Sequence, residues 1–155
     1  VTYTIQRIEL TKKDANDLIT LGREMHSESS FSKLQFNPRR VLETFNHYLD
    51  DDNKAAFIAR KGETPVGFYA GYVTKYYFSD ETVASDIGWF VRKPFRGTRV
   101  GLRLLDVFEE WAEKKGASET RIGFSTNINP EAFDRLMKKR GYDAIGRNYR
   151  LETKP

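Results

Sequence analysis

Residues 2–8 alternate Tyr3, Ile5 and Arg7 against Thr4, Gln6 and Ile8, a period of two in a β-rich composition that predicts a first strand. The period then lengthens. Ala15, Leu18, Leu21 and Met25 recur at three- and four-residue intervals behind Thr11, a capping residue, and predict an amphipathic helix. Residues 27–36 break the pattern. Asn37-Pro38 then reads as an N-cap with proline at the first helical position, and Val41, Leu42, Phe45, Tyr48 and Leu49 give a second helical face that stops near Asp50.

Residues 54–61 and 65–78 predict two strands joined by the turn Gly62-Glu63-Thr64, an antiparallel hairpin by its short spacing. A third strand, residues 82–91, follows so soon that the three form a meander. Val100, Leu104, Leu105, Phe108, Trp111 and Ala112 keep helical spacing until Gly116, a left-handed C-terminal cap. Residues 119–125 predict a short strand, 130–140 a helix ended by Gly141, and 142–152 a last strand. The order is β-α-α-β-β-β-α-β-α-β without linkers or repeats, which predicts a mixed sheet flanked by helices, of the α/β (α+β) class.

Composition narrows this outline. A chain of 155 residues makes one domain, residues 1–155, and its 39% hydrophobic content supplies a core while 31% charged residues suit a solvated surface. No run approaches the ~20 apolar residues that cross a bilayer, and no basic start with an apolar stretch marks secretion, so neither membrane nor export is expected. Without cysteine there is no disulfide, thiolate metal site or cysteine nucleophile. Two distant histidines offer no metal-ligand spacing, so no metal is expected, and a reducing cytoplasm is the expected compartment. The net charge of +4 admits an anionic partner, yet its 26 basic and 22 acidic residues are interspersed and no RNA- or DNA-binding motif is present. Nucleic acid is therefore not an expected partner.

The densest basic run, Arg92, Lys93, Arg96, Arg99 and Arg103, falls on the glycine-containing turn between the strand 82–91 and the long helix. A helix N-terminus leaves its first amides without intrahelical partners and carries about half a positive charge. A turn that aims those amides outward beside Arg96 and Arg99 is a seat for a phosphate-rich small molecule, with Gly97 and Gly101 letting backbone approach without a β-carbon in the way.

The element order and this turn together resemble the GCN5-related N-acetyltransferases over essentially the whole chain. The family's cofactor motif, Gln or Arg, two residues, Gly, one residue, Gly or Ala, stands here as Arg96-Gly97-Thr98-Arg99-Val100-Gly101, five residues after Val91. Arg99 occupies the place of a usual glycine, and the usual proline comes one residue late, at Pro94. Leu136-Met137-Lys138-Lys139-Arg140-Gly141-Tyr142 is similar to a second family motif, with Met137 in place of its tyrosine. The resemblance implies a mostly antiparallel sheet of about six to seven strands with about four helices, and direct acetyl transfer from acetyl-CoA to an amine of a small molecule, peptide or protein.

It also implies roles for residues. The pyrophosphate sits on amides of Arg96, Gly97, Thr98, Arg99, Val100 and Gly101, and the pantetheine arm lies along Phe90, Val91 and Arg92 in a splay between the fourth and fifth strands. In a right-handed first turn Arg99 needs no positive φ, and its side chain reaches a phosphate or points into water. Asn127 and Asn129 contact the cofactor or, respectively, bond within the loop and cap the helix that begins at Pro130. Asp86, the one carboxylate well inside the fourth strand, is the candidate general base; strand parity does not fix its face, because a bulge is common there in the family. The Val91 amide faces the carbonyl oxygen as charge develops. Met137 cannot protonate the leaving thiolate; Tyr142 and Tyr149 are possible substitutes or core residues.

The loop after the first helix supplies acceptor determinants in the family, here His26, Glu28 and Phe31, which otherwise make an exposed loop. Tyr76-Tyr77-Phe78 reads as sheet packing or the contact of a possible homodimer. Two rivals to the enzyme remain: a non-catalytic CoA-binding module, suggested by Arg99 and Met137, and a nucleic-acid-binding domain, suggested by basic charge and aromatic residues.

Overall fold

The computed structural model describes residues 2–123 and 128–153. Its sheet runs in chain order, β1 (Thr4–Arg7), β2 (Lys54–Lys61), β3 (Thr64–Lys75), β4 (Thr82–Val91) and β5 (Glu119–Arg121). The first four strands pair antiparallel and β5 joins β4 in parallel. Among the described residues four α-helices flank it: α1 (Lys12–Glu28), α2 (Pro38–Asn46), α3 (Val100–Lys114) and α4 (Pro130–Lys139).

Helices cover both faces of the sheet, which is why β2 is apolar almost without alternation. Ala56 and Ile58 pack with Leu18, Leu21, Phe45 and Phe68 under α1 and α2. Ala55, Phe57 and Ala59 point the other way, with Tyr69, Leu104, Leu105 and Phe108 beneath α3. Thr11 caps α1 through a hydrogen bond from the Asp14 amide, Asn37 caps α2, and Gly116 turns left-handed (φ +76°) after α3.

Two expectations change. β3 ends at Lys75, and Tyr76, Tyr77 and Phe78 form the turn to β4, closed by the Tyr76 amide on the Glu81 carbonyl. Tyr77 and Phe78 are exposed there, so they do not pack on the sheet. The last strand foreseen at 142–152 is also absent, leaving five strands among the described residues rather than six or seven. Its alternating Ile145, Tyr149 and Leu151 are exposed, and a β5 of only three residues offers it no matching edge.

The pairing of β4 creates the site. Ser85 is its last partner of β5, so from Asp86 to Val91 the strand has no paired strand on that side among the described residues, and the two strands part there. On the β3 side, Ala70 faces Gly88 but Gly71 faces Asp86, leaving Ile87 as the extra residue of a bulge.

Candidate active site

The bulge decides where Asp86 points. Residues directly opposite in an antiparallel pair share a face, so Asp86, opposite Gly71, joins Tyr69 and Val73 on the α3 side of the sheet. Regular alternation back from Trp89 would have sent it to the other face. Its Oδ1 accepts the Gly123 N–H at 2.8 Å, and its second oxygen receives no hydrogen bond from any other described residue. Burial pushes the carboxyl above its ordinary value, and the Gly123 amide only partly offsets that.

Asp86 borders a cavity of about 470 Å³ between β4 and α4. Phe90, Val91, Arg96, Gly97 and Asn129 line the same space, as does Gly123. Sequence reasoning missed part of its wall. Trp89 comes from β4, and Phe133 and Leu136 from one face of α4, while Met25, on the apolar face of α1, lines it as well. Trp89 meets Phe133 edge to face at 6.1 Å, which closes the splay with an aromatic contact. Ile87 also borders a second cavity of about 480 Å³, lined by Arg40, His47, Lys54 and Tyr72 among others.

The turn below the cavity is built to expose backbone. Lys93–Phe95 make one 3₁₀ turn, Gly97 takes φ +85°, and Arg99 sits right-handed (φ −83°, ψ −2°) at the N-cap of α3, a conformation open to any residue. The Thr98 hydroxyl donates to the Phe95 carbonyl at 2.7 Å and accepts the Val100 amide at 3.4 Å. The amides of Gly97, Thr98, Arg99, Gly101 and Leu102 have no acceptor among the described residues. Gly101 serves a close approach: a Cβ there would come within 3.3 Å of Val91 Cγ2. Five free amides at a helix N-terminus, opening beside a largely apolar cavity, fit a ligand with a pyrophosphate at one end and an extended arm at the other.

The arginines of the turn differ in their commitments. Arg92 grips Glu24 of α1 through Nε at 2.9 Å and Nη2 at 2.8 Å and also donates to the Pro65 carbonyl. Arg96 donates from Nε to the Val91 carbonyl at 2.8 Å, pairs through Nη2 with Glu28 at 2.9 Å, and lies over the Phe90 ring. The Arg99 side chain has neither hydrogen bond nor ion pair among the described residues, its carbonyl accepting the Arg103 amide within the helix. Phe90 and Val100 are core side chains, so what they offer a ligand is backbone.

His26 and Phe31 stand apart from the cavity wall. His26 packs against Phe36 with its Nε2 buried and without a partner among the described residues, and Phe31 lies under Arg150. Asn129 caps α4 by accepting the Ala132 amide while also lining the cavity. Asn127 lies outside the described residues. Met137 is buried in the α3 core, and Tyr142 donates its hydroxyl to Glu109 at 2.6 Å, which, after burial, helps push the phenol up. Tyr149 is exposed. Among the described residues no group of three or more His, Asp or Glu side chains gathers to hold a metal, and no helix is long and apolar enough to cross a membrane.

Residues 22–142 match the model of the acetyltransferase (GNAT) family. No curated protein matches the chain. Among solved structures it is similar to AAC(6')-Iy in complex with a bisubstrate analogue, CoA-S-monomethyl-acetylneamine (18% identity, TM-score 0.77, all of both chains). It is also similar to a transcriptional regulator from Bacillus halodurans (19%, TM-score 0.80, 97% of this chain and 99% of that one). A ribosomal-protein-alanine N-acetyltransferase from Brucella melitensis follows (19%, TM-score 0.72, 99% and 100%). At these identities the likeness is one of fold.

Proposed function

The chain belongs to the acetyltransferase (GNAT) family and is an acetyl-CoA-dependent N-acetyltransferase, and from that premise we propose that Asp86 is the general base of direct acetyl transfer to an amine of a small molecule, peptide or protein. Acetyl-CoA supplies the thioester whose acetyl group moves. The amides of Gly97, Thr98, Arg99, Gly101 and Leu102 would hold its pyrophosphate without a metal, and the edge of β4 from Gly88 to Val91, unpaired among the described residues, would receive its extended arm.

The observation that carries this reading is a half-buried carboxylate, Asp86, at the point where the pairing of β4 with β5 ends. A lysine-like amine is only about one part in 2,500 neutral at pH 7, so the acceptor must lose a proton before or as it attacks. Asp86 is suited to take it. Oδ1 is held by Gly123, the second oxygen receives no hydrogen bond from any other described residue, and desolvation outweighs the backbone amides of Gly123 and Asp86 to raise its basicity above that of an ordinary aspartate. The Val91 amide, turned toward the splay, is the donor placed to meet the carbonyl oxygen. With Met137 in the core and Tyr142 engaged by Glu109, no side chain is assigned as acid for the departing thiolate. A thiol with pKa around 8.5 can be protonated by water.

The test follows thiol release from acetyl-CoA over a panel of amines across pH 6–9. Asp86→Asn should lower the rate by about 10²–10⁴ and remove the acid limb of the profile. A variant that keeps the wild-type profile shape and at least a third of the rate rules out Asp86 as the base.

A further inference from the structure

Arg96 has two sets of claimants. It lines the donor cavity, beside the free amides of the turn, yet its guanidinium is already engaged: Nη2 pairs with Glu28 at the last residue of α1, and Nε caps the Val91 carbonyl. The direction of that carbonyl follows from the sheet. The Arg92 amide bonds to Val66 of β3, so the N–H and C=O of Val91, one residue earlier, point the opposite way, into the splay. Arg96 thus covers the backbone group that an amide-bearing arm lying along β4 would use.

We propose that Glu28 and the donor's phosphates compete for Arg96, so that Arg96 is a latch between the donor seat and the acceptor side of the site. When a phosphate draws the guanidinium away, two groups are released together: the Val91 carbonyl toward the donor's arm, and the Glu28 carboxylate at the end of α1. A freed carboxylate there favours an acceptor carrying an ammonium group. Coupling of this kind is reciprocal, so a cation on Glu28 also favours the donor by freeing Arg96. The neighbouring arginine shows the contrast. Arg92 forms a two-pronged pair with Glu24 plus a backbone bond, a fixed clamp that keeps α1 in place while Arg96 changes partners.

This inference rests on the donor assignment made above, and its test separates the two. The side chains of Arg96 and Glu28 are 34% and 30% exposed, and a pair so exposed contributes only modestly. Calorimetric titration with CoA should therefore give about two- to fivefold tighter binding for Glu28→Gln than for wild type, the reverse of what loss of a structural ion pair would give. Glu28 also repels an anionic ligand directly, so the decisive comparison is made in an Arg96→Gln background. A latch predicts that the gain from Glu28→Gln disappears there. The same gain in both backgrounds means simple repulsion and overturns the proposal, as does weaker or unchanged binding in the single variant. Thermal melts of all four proteins confirm that each is folded. Failure of the wild type to bind CoA would instead sink the donor assignment itself.

Discussion

Replacing Arg60 with methionine tests whether charge holds α1, and with it Glu24 and Glu28, against the sheet. From β2, Arg60 donates to Asp14 Oδ1 at 2.7 Å and to Asp17 Oδ2 at 2.8 Å, and all three residues are more than nine-tenths buried. Methionine keeps most of the volume but removes the counter-charge of two buried carboxylates, leaving Asp14 the Glu9 amide at 2.8 Å and Asp17 the Lys13 ammonium at 3.5 Å. Breaking a buried pair from one side costs about 3–5 kcal/mol, a large part of the ~5–15 kcal/mol that holds a domain together. With a urea slope of about 2 kcal/mol/M the unfolding midpoint should fall by roughly 1.5–2.5 M. The pH dependence gives a second check. Burial alone would raise the Asp14 carboxyl, but the Glu9 amide and Arg60 outweigh it and hold it below its ordinary value of 3.8. A carboxyl depressed by folding contributes stability above its unfolded pKa and loses it as pH falls through the folded one. The gap between wild type and variant should therefore be full above about pH 5 and close below about pH 4. A loss under about 1 kcal/mol at pH 7, or a gap that does not change down to pH 3, would refute the reasoning.

Gly71→Ala places a Cβ 2.4 Å from the Ser85 carbonyl and 2.5 Å from the Phe108 ring, opposite Asp86; melts should show a loss of about 2–3 kcal/mol or more, and thiol release should fall with it. Gly97→Val forces a branched residue to φ +85° and should cost about 1–2 kcal/mol while weakening CoA binding, read by calorimetry. Tyr142→Phe loses the hydroxyl bond to Glu109, about 1 kcal/mol, but should leave thiol release within about threefold; a hundredfold loss would make Tyr142 the missing acid. Asp86 has its pKa raised by folding, so it withholds stability once ionised: Asp86→Asn should melt above wild type at pH 8, with the difference vanishing by about pH 3.

Local information made the basic turn and its flanking helices legible. The turn, the cap at Thr11 and the helix ended by Gly116 are written in short stretches whose backbone conformation depends on neighbours a few residues away. Asp86 shows the limit. Its type and strand were readable, but its face depends on the bulge at Ile87, which exists only in register with β3. The tail shows it again. Alternation at Ile145, Tyr149 and Leu151 is necessary for a strand but needs an edge to pair with, and β5 stops after three residues. Gly123 carried no signal at all, because its part is played by an amide that any residue but proline owns.

The same division explains why the acceptor is harder to read than the donor. A pyrophosphate is met by backbone amides, whose supply is fixed by the turn whatever the distant side chains do. An amine is met by carboxylates, and how many of those are available depends on pairings across the fold. Of the acidic residues near the end of α1, Glu24 is neutralised by Arg92 and Glu28 by Arg96. Counting acids in the sequence therefore overstates the negative field that an acceptor meets. The Glu24 pair is fixed by two hydrogen bonds from the Arg92 guanidinium, which a third ties to the Pro65 carbonyl, whereas the Glu28 pair involves an arginine that the donor also attracts. The charge presented to the acceptor is then not a property of the protein alone. It is set by whether the donor's phosphates have taken Arg96, which makes acceptor preference measured without CoA a poor guide to preference during turnover.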